Sequence, residues 1–170
     1  MSWSEGRAWR AGRAGPLLAV LALLGGCGFQ FRGAPAFPPQ MAVTHVAAED
    51  RYSPFYRELV AVLRRSDIQL TDDPSAARTV IRILDDDPGR RLLSVTARNV
   101  PAEYEVYYRV RFAVDVDGER VLPPEQLALT RDFAFDETRV LGKAEEEDVI
   151  REAIARDLVG LITRRLSAVH

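Results

Sequence analysis

The sequence predicts an α+β fold in which two helices pack on one face of a mostly antiparallel four-stranded sheet. Residues 103–115 alternate strictly between apolar and polar side chains, as in a strand with one face on a core. Apolar residues at helical spacing occur before this strand, after Ser53, and again near the end of the chain, after Glu145. The resulting order of elements is strand, helix, several antiparallel strands and a second helix.

The first 26 residues have the three-part pattern of a secretory signal peptide. Arg7, Arg10 and Arg13 give a cationic start, and an apolar run at residues 14–24 follows. This run is much shorter than the ~20 residues needed to span a bilayer. The segment therefore predicts export from the cytoplasm and does not predict a permanent transmembrane helix.

The segment Leu24-Gly25-Gly26-Cys27 resembles the cleavage site of bacterial lipoproteins, in which the cysteine becomes the first mature residue and carries lipid. Two or more acyl chains anchor a protein stably, since each buried methylene contributes about 0.8 kcal/mol. The alternative is an ordinary cysteine beside an uncleaved signal. Cys27 is the only cysteine, which favours lipidation and excludes an intramolecular disulfide. By analogy with lipoprotein sorting rules, Gly28 in place of Asp favours the outer membrane of a Gram-negative cell.

Residues 27–40 are rich in Gly, Pro and Ala and are predicted to tether the lipid to a single domain at residues 41–170. The full chain has 23 basic and 25 acidic residues, a net charge of −2. Removal of the signal peptide, which contains three Arg and one Glu, leaves 20 basic and 24 acidic residues, a net charge of −4. Because nucleic-acid binding requires a basic surface, this mild acidity argues against a nucleic-acid partner.

The first half of the domain has recognisable helix and turn signals. Residues 41–46 are predicted to form the first strand, and a helix is predicted from the Ser53 N-cap and Pro54 through Arg65. A turn at residues 71–75 follows. Strands at 80–84 and 92–97 flank the segment Asp85-Asp86-Asp87-Pro88-Gly89, whose composition predicts a hairpin turn.

The second half continues with a hairpin and the final helix. Asp117-Gly118 is a strong hairpin signal, and residues 127–135 alternate as a further strand. The final helix begins at the acidic run 145–148, which the helix dipole favours, and Arg164 and Arg165 suit its C-terminal end. Its apolar stripe consists of Ile150, Ile154, Leu158, Leu161 and Ile162.

The sequence offers no grouping of residues that predicts an enzyme or a cofactor. His45 and His170 lie outside any motif, and Cys27 is assigned to lipid. The run Asp85-Asp86-Asp87 lacks the interleaved spacing of a calcium loop. A solvated turn is therefore favoured over a metal site, and no metal is predicted.

Two carboxylates on the long strand allow two interpretations. Glu103 and Glu105 could form an acid/base pair, but they share their face with Arg109 and Arg111. Ion pairing between strands is favoured on such a face. Together with Tyr107, this polar face fits an interface and a solvent-exposed sheet surface equally well.

Several segments are similar to one family. Cys27-Gly28-Phe29-Gln30-Phe31-Arg32-Gly33 is similar to the Cys-Gly-Phe-x-Leu-Arg-Gly opening of the LPS-assembly lipoprotein family, LptE. Ala102-Glu103-Tyr104-Glu105-Val106 resembles the third-strand motif of that family. Arg131-Asp132-Phe133-Ala134-Phe135-Asp136 resembles its Arg-x-aromatic-x-aromatic-Asp pattern, and Val140-Leu141-Gly142-Lys143 with the last helix resembles its C-terminal part. The resemblance rests on the order and spacing of these motifs over nearly the whole mature chain.

The resemblance implies an outer-membrane lipoprotein that plugs the LptD β-barrel, helps it to fold, and takes part in moving lipopolysaccharide to the outer leaflet. It also implies that basic residues contact lipopolysaccharide, and the matching positions here are Arg98 and Lys143. For both residues the alternative is an ordinary solvated cation. Arg90 and Arg91 are more generic candidates. The alternative functions are a periplasmic binding module or a pilot lipoprotein for another outer-membrane complex, with a lipid-anchored enzyme least favoured.

Overall fold

The chain forms one sheet and two helices in a computed structural model, which describes residues 37–134 and 143–169. The predicted signal peptide, Cys27 and most of the predicted tether lie outside the described residues. No helix within the described ranges is long and apolar enough to cross a membrane. A 3-10 turn at Pro39–Ala42 precedes β1 (Val43–Ala47), α1 (Pro54–Arg65), β2 (Gln69–Leu70), β3 (Thr79–Val95), β4 (Pro101–Val116), β5 (Glu119–Ala134) and α2 (Lys143–Leu166).

The sheet has five strands in the order β2-β1-β3-β4-β5. Strand β1 is parallel to β2 and to β3, whereas the β3–β4 and β4–β5 pairs are antiparallel. The predicted α+β class is confirmed and the two long strand pairings are antiparallel, but the sheet has five strands instead of the predicted four and also contains two short parallel pairings. Strand β2 has only two residues, too few to show a pattern, and α1 reverses the chain so that β1 and β2 run parallel.

Strand β4 supplies the centre of the core. Its alternate side chains from Val106 to Val114 face the helices and are fully buried, as the strict alternation predicted. Both helices pack on this face, and the predicted helix boundaries at Ser53, Pro54 and Arg65 are confirmed. The helix residues of the core are Phe55, Leu59 and Leu63 of α1, and Ile154, Ala155, Leu158, Val159, Ile162 and Leu166 of α2.

The predicted hairpin turn at residues 85–89 is wrong, because β3 continues through it to Val95. Strand β1 pairs with β3 only between Thr79 and Arg82, so the rest of β3 lies at an edge of the described sheet. Pro88 is tolerated there, since an edge strand does not need every N–H for the ladder. The chain turns at residues 96–100, where Asn99 adopts a φ of 61°.

The second predicted turn, Asp117-Gly118, is confirmed with φ values of 51° and 85°.

A β-bulge decides which of the three consecutive aspartates faces the core. Ile83 pairs with Phe112 and Asp85 pairs with Arg111, so Leu84 is an extra residue. The inserted residue shifts every later side chain to the other face. As a result Asp86, opposite Val110, faces the helices, while Asp85 and Asp87 face the opposite side of the sheet.

Asp86 ties the start of α1 to the sheet. The Ser53 hydroxyl donates to Asp86 Oδ2 at 2.5 Å, and Ser53 Oγ accepts from the Tyr56 N–H at 3.0 Å as the N-cap. The Tyr108 hydroxyl donates to Asp86 and accepts from the Phe55 N–H at 3.3 Å. Burial raises the pKa of the Asp86 carboxyl above its usual 3.8, although the two hydroxyl donors favour the ionised form. The folded protein therefore holds a carboxylate whose burial is only partly offset by hydrogen bonds.

Asp86→Asn is expected to gain stability relative to the wild-type protein as the pH rises. Because folding raises the pKa of Asp86, the folded state binds this proton more tightly than the unfolded chain does. The free energy of unfolding of the wild type consequently falls as the pH rises from the unfolded pKa through the folded pKa. Urea unfolding between about pH 3.5 and pH 7 should show a difference between variant and wild type that grows with pH. Asp85→Asn, at an exposed carboxylate on the other face, is the matched control, and a pH-independent difference for Asp86→Asn would contradict the assignment.

Gly89 provides space for an aromatic ring on the face away from the helices. It pairs with Tyr107, and a Cβ added to Gly89 would lie 2.2 Å from Tyr107 Cζ. The Arg109 guanidinium lies 5.0 Å from the centroid of the same ring, and its Nε donates to Asp87 Oδ2 at 3.0 Å. The missing side chain therefore lets Tyr107 lie flat across β3 and support Arg109.

Gly89→Ala is expected to lower the free energy of unfolding by about 1–3 kcal/mol, because the new methyl group displaces the Tyr107 ring. In a Tyr107→Ala background the same change should be neutral or slightly stabilising, since Ala restricts the unfolded chain more than Gly does. Chemical denaturation of the two single variants and the double variant measures this coupling. Equal costs of Gly89→Ala in both backgrounds would show that the ring does not occupy this space.

Candidate functional site

The β3–β4 hairpin continues beyond the point where α2 joins it. The Arg90 Nη1 donates to Glu147 Oε2 at 2.7 Å, and the Arg90 guanidinium lies 5.3 Å from the Tyr104 ring centroid. Arg165, near the other end of α2, pairs with Glu125 of β5 at 3.1 Å. Helix α2 thus passes Arg90 one turn after its start at Lys143 and runs away from the hairpin turn, while β3 continues for five residues past Arg90 to Val95.

Arg98 lies at the exposed turn of this hairpin, at residues 96–100. The Thr96 N–H donates to the Val100 carbonyl at 2.7 Å, and the Asn99 N–H donates to the Thr96 carbonyl at 2.9 Å. Thr96 Oγ1 also accepts from the Val100 N–H at 3.3 Å. These bonds close the turn and place Arg98 at its apex, three residues beyond the end of β3 at Val95.

Lys143 is the first residue of α2, although the sequence placed it in the preceding loop. Its side chain lies outside the described atoms. Its backbone is one helical turn before Glu147, the residue that pairs with Arg90, and therefore lies at the end of α2 nearest the hairpin turn. The structure thus brings the backbones of Arg98 and Lys143 to the same end of the fold.

Three apolar side chains just before the turn were not identified as functional from the sequence. Leu92, Leu93 and Val95 are 47%, 46% and 48% exposed. The register between β3 and β4 shifts between Leu92 and Ser94 and again between Ser94 and Val95. Two adjacent leucines in a strand cannot both face a core, and this was the signal in the sequence that could have identified the exposed group. We call Leu92, Leu93 and Val95 the apolar tip.

The sheet face opposite the helices is a network of ion pairs. Arg91 pairs with Glu105 across the strands at 2.5 Å, and Ser94 Oγ donates to Glu103 at 2.8 Å. The predicted ion pairing is therefore confirmed for Glu105, although its partner is Arg91. Glu105 is only 6% exposed. Glu105 is held by an ion pair and Glu103 by a hydroxyl group, an arrangement that does not resemble a catalytic acid/base pair.

The base of the same face contains a second charge cluster. Asp115 accepts from Arg82 Nε at 2.6 Å and also pairs with Arg120 of β5. The hydrogen bond from Arg120 lowers the pKa of the Asp115 carboxyl, and Arg82 lowers it further. Arg111, in contrast, is exposed on this face beside Asp85. The cluster joins β3, β4 and β5 and so stabilises the sheet at the end away from the hairpin turn.

Other parts of the described structure offer little chemistry. A groove of about 260 Å³ between the helices is lined by Pro54, Arg57, Glu58, Glu152 and Arg156, and such alternating charges do not resemble an apolar ligand pocket. Within residues 37–134 and 143–169, no three His, Cys, Asp or Glu side chains form a group that could hold a metal ion. The His45 ring is buried, with Nδ1 hydrogen-bonded to the Thr71 carbonyl at 2.8 Å.

Solved structures share this fold at low sequence identity. The crystal structure of rare lipoprotein B from Shewanella oneidensis has a TM-score of 0.65 and 24% identity, over 74% of this chain and 94% of that chain. The solution structure of an uncharacterised lipoprotein B from Nitrosomonas europaea has a TM-score of 0.66 and 23% identity, over 83% and 91%. At these identities the likeness establishes the fold alone.

Sequence comparisons extend the likeness to a family. The LPS-assembly lipoprotein LptE of Yersinia enterocolitica is 29% identical over 154 residues, which cover 90% of this chain and 73% of that protein. The LPS-assembly lipoprotein LptE of Pectobacterium atrosepticum is 27% identical over 90% of this chain and 83% of that protein. The profile of the LptE lipopolysaccharide-assembly family matches residues 41–166. The chain therefore belongs to the LptE family of lipopolysaccharide-assembly lipoproteins.

Proposed function

We propose that this protein is anchored in the outer membrane by lipid on Cys27, plugs an LptD-type β-barrel and assists its assembly, and contacts lipopolysaccharide during transport to the outer leaflet. Family membership supports the role in lipopolysaccharide assembly. The observation that supports the contact itself is the position of Arg98, at the exposed apex of a hairpin that extends past α2. Lys143 begins α2 at the same end of the fold.

Local charge matters because the mature chain as a whole would carry a net charge of −4, from 20 basic and 24 acidic residues. A polyanionic glycolipid is repelled by such a protein on average, so binding needs cations concentrated at the contact. Arginine forms paired hydrogen bonds to phosphate oxygens, and lysine acts as a compact point charge. Arg90 and Arg91 precede the turn on β3 and are ion-paired with Glu147 and Glu105.

Arg98→Asp combined with Lys143→Asp is expected to weaken lipopolysaccharide binding by about tenfold or more, since each charge-assisted hydrogen bond contributes about 1.5–3 kcal/mol. The fold should survive, because Asp suits both an exposed turn and the N-terminal end of a helix. Titration of the purified protein with lipopolysaccharide measures the affinity, and thermal unfolding monitored by circular dichroism checks the fold.

Arg64→Asp combined with Arg156→Asp is the matched control, because both arginines are exposed on helices and the change in net charge is the same. If both double variants lost affinity equally, only the net charge would matter, and Arg98 and Lys143 would be removed from the site. Unchanged binding by the Arg98 and Lys143 variant would have the same consequence.

The barrel partnership is tested by affinity purification of the tagged protein from detergent-solubilised outer membranes, with mass spectrometry of every co-purified protein. A single large β-barrel at near-equal stoichiometry is the expected result. An unrelated tagged outer-membrane lipoprotein, which should not retain this barrel, is the control. Recovery of the protein alone, or together with a secretin, would instead favour a periplasmic binding module or a pilot lipoprotein.

A further inference from the structure

We infer that the apolar tip, Leu92, Leu93 and Val95, binds acyl chains of an anionic lipid whose phosphate groups are held by the neighbouring cations. This inference rests on the proposed function and assigns the hydrophobic part of the same ligand. The same end of the hairpin then makes two kinds of contact with one lipid. Arg98 contacts its phosphate groups, and the apolar tip contacts its acyl chains.

The exposure of the tip results from the backbone. Leu92 pairs with Tyr104 on the helix-facing side, two residues beyond Arg90, where the side chain is still 47% exposed. The two register shifts between Leu92 and Val95 break the alternation, so that Leu92, Leu93 and Val95 are all about half exposed. Because a regular strand would turn one of two adjacent residues inward, this irregular segment displays apolar groups that ordinary pairing would hide.

The surroundings of the tip favour an amphiphile as its ligand. Arg98 follows Val95 by three residues at the apex of the turn, and Arg90 and Arg91 precede Leu92 on the same strand. An apolar group placed between cations matches a molecule that carries phosphates next to hydrocarbon chains. Two of the carboxylates at this end, Glu105 and Glu147, are ion-paired with Arg91 and Arg90.

The size of the tip also favours lipid over a protein partner. A stable protein–protein interface buries roughly 800 Å² on each partner. Three half-exposed aliphatic side chains provide only a small part of that area, whereas an acyl chain lying across them would bury most of their exposed surface. We therefore assign the tip to acyl chains rather than to a barrel wall or a second copy of this chain.

The test compares intact lipopolysaccharide with chemically deacylated lipopolysaccharide, each titrated into the purified, processed protein. The variant combines Leu92→Thr, Leu93→Thr and Val95→Thr, since threonine retains the preference for strand structure while removing apolar surface. Binding of intact lipopolysaccharide is expected to weaken by about tenfold or more, which corresponds to the burial of one leucine side chain. Binding of the deacylated form should be the same for the variant and the wild type.

Leu84→Thr combined with Val121→Thr is the matched control, because these strand residues are 41% and 39% exposed away from the tip. It should bind both forms of lipopolysaccharide like the wild type, and thermal unfolding should show that both variants are folded. An equal loss of affinity for the intact and the deacylated forms would overturn the inference, as would unchanged binding of the intact form. Loss of barrel retention by the tip variant, with lipopolysaccharide binding intact, would assign the tip to the barrel.

The outcome also distinguishes this inference from the proposed function. If the Arg98 and Lys143 variant loses binding and the tip variant does not, the lipopolysaccharide contact stands and the acyl-chain contact fails. If the wild-type protein binds neither form of lipopolysaccharide, both fail together.

Discussion

The whole helix layer depends on β4, the one strand in the described sheet with a neighbouring strand along nearly all of both edges. Its side chains at Val106, Tyr108, Val110, Phe112 and Val114 are fully buried and belong to the same core cluster as residues of both helices. A shift of one residue in its register would turn this entire apolar set toward the opposite face and bring Arg109 and Arg111 under the helices. The pairing of β4 with β3 and β5 therefore fixes where α1 and α2 can lie.

The β3–β4 pair is longer than the helix layer that it supports, and this difference in length creates the candidate site. Strand β3 has 17 residues, or roughly 56 Å at about 3.3 Å per residue, while the 24 residues of α2 span roughly 36 Å at about 1.5 Å per residue. Only one turn of α2 precedes Glu147, the partner of Arg90, so the last residues of the hairpin extend past the described part of α2. The ion pair between Arg90 and Glu147 marks this boundary, with packed core on one side and the exposed turn on the other.

Features with a short-range physical cause were predictable from the sequence. The Ser53 cap, the Asp117-Gly118 turn and the alternation of β4 each depend on a few adjacent residues, and all three are confirmed. The prediction failed where long-range pairing decides the structure. Asp85 to Gly89 has the composition of a turn, but pairing with β4 keeps the segment extended, and the edge position beyond Arg82 makes Pro88 acceptable. The path of the chain through α1 decides that β2 forms and that β1 runs parallel to it. No local sequence pattern encodes this path.

The candidate site was likewise predictable from the sequence only in part. The family resemblance points to Arg98, but only the structure shows that this residue lies at the apex of a turn. The sequence predicts the turn at Asp85-Asp86-Asp87 instead, because this segment has the more typical turn composition. The apolar tip results from two register shifts, and the adjacent Leu92 and Leu93 are its signal in the sequence. An edge strand with exposed apolar groups is normally a liability, since it invites association with other strands. Here β3 carries Arg90 and Arg91 directly before those groups and a charged turn directly after them, which discourages pairing with another strand along this edge. In the proposed acyl-chain contact the same cations favour an anionic lipid, so one arrangement of residues would both protect the edge and favour its ligand.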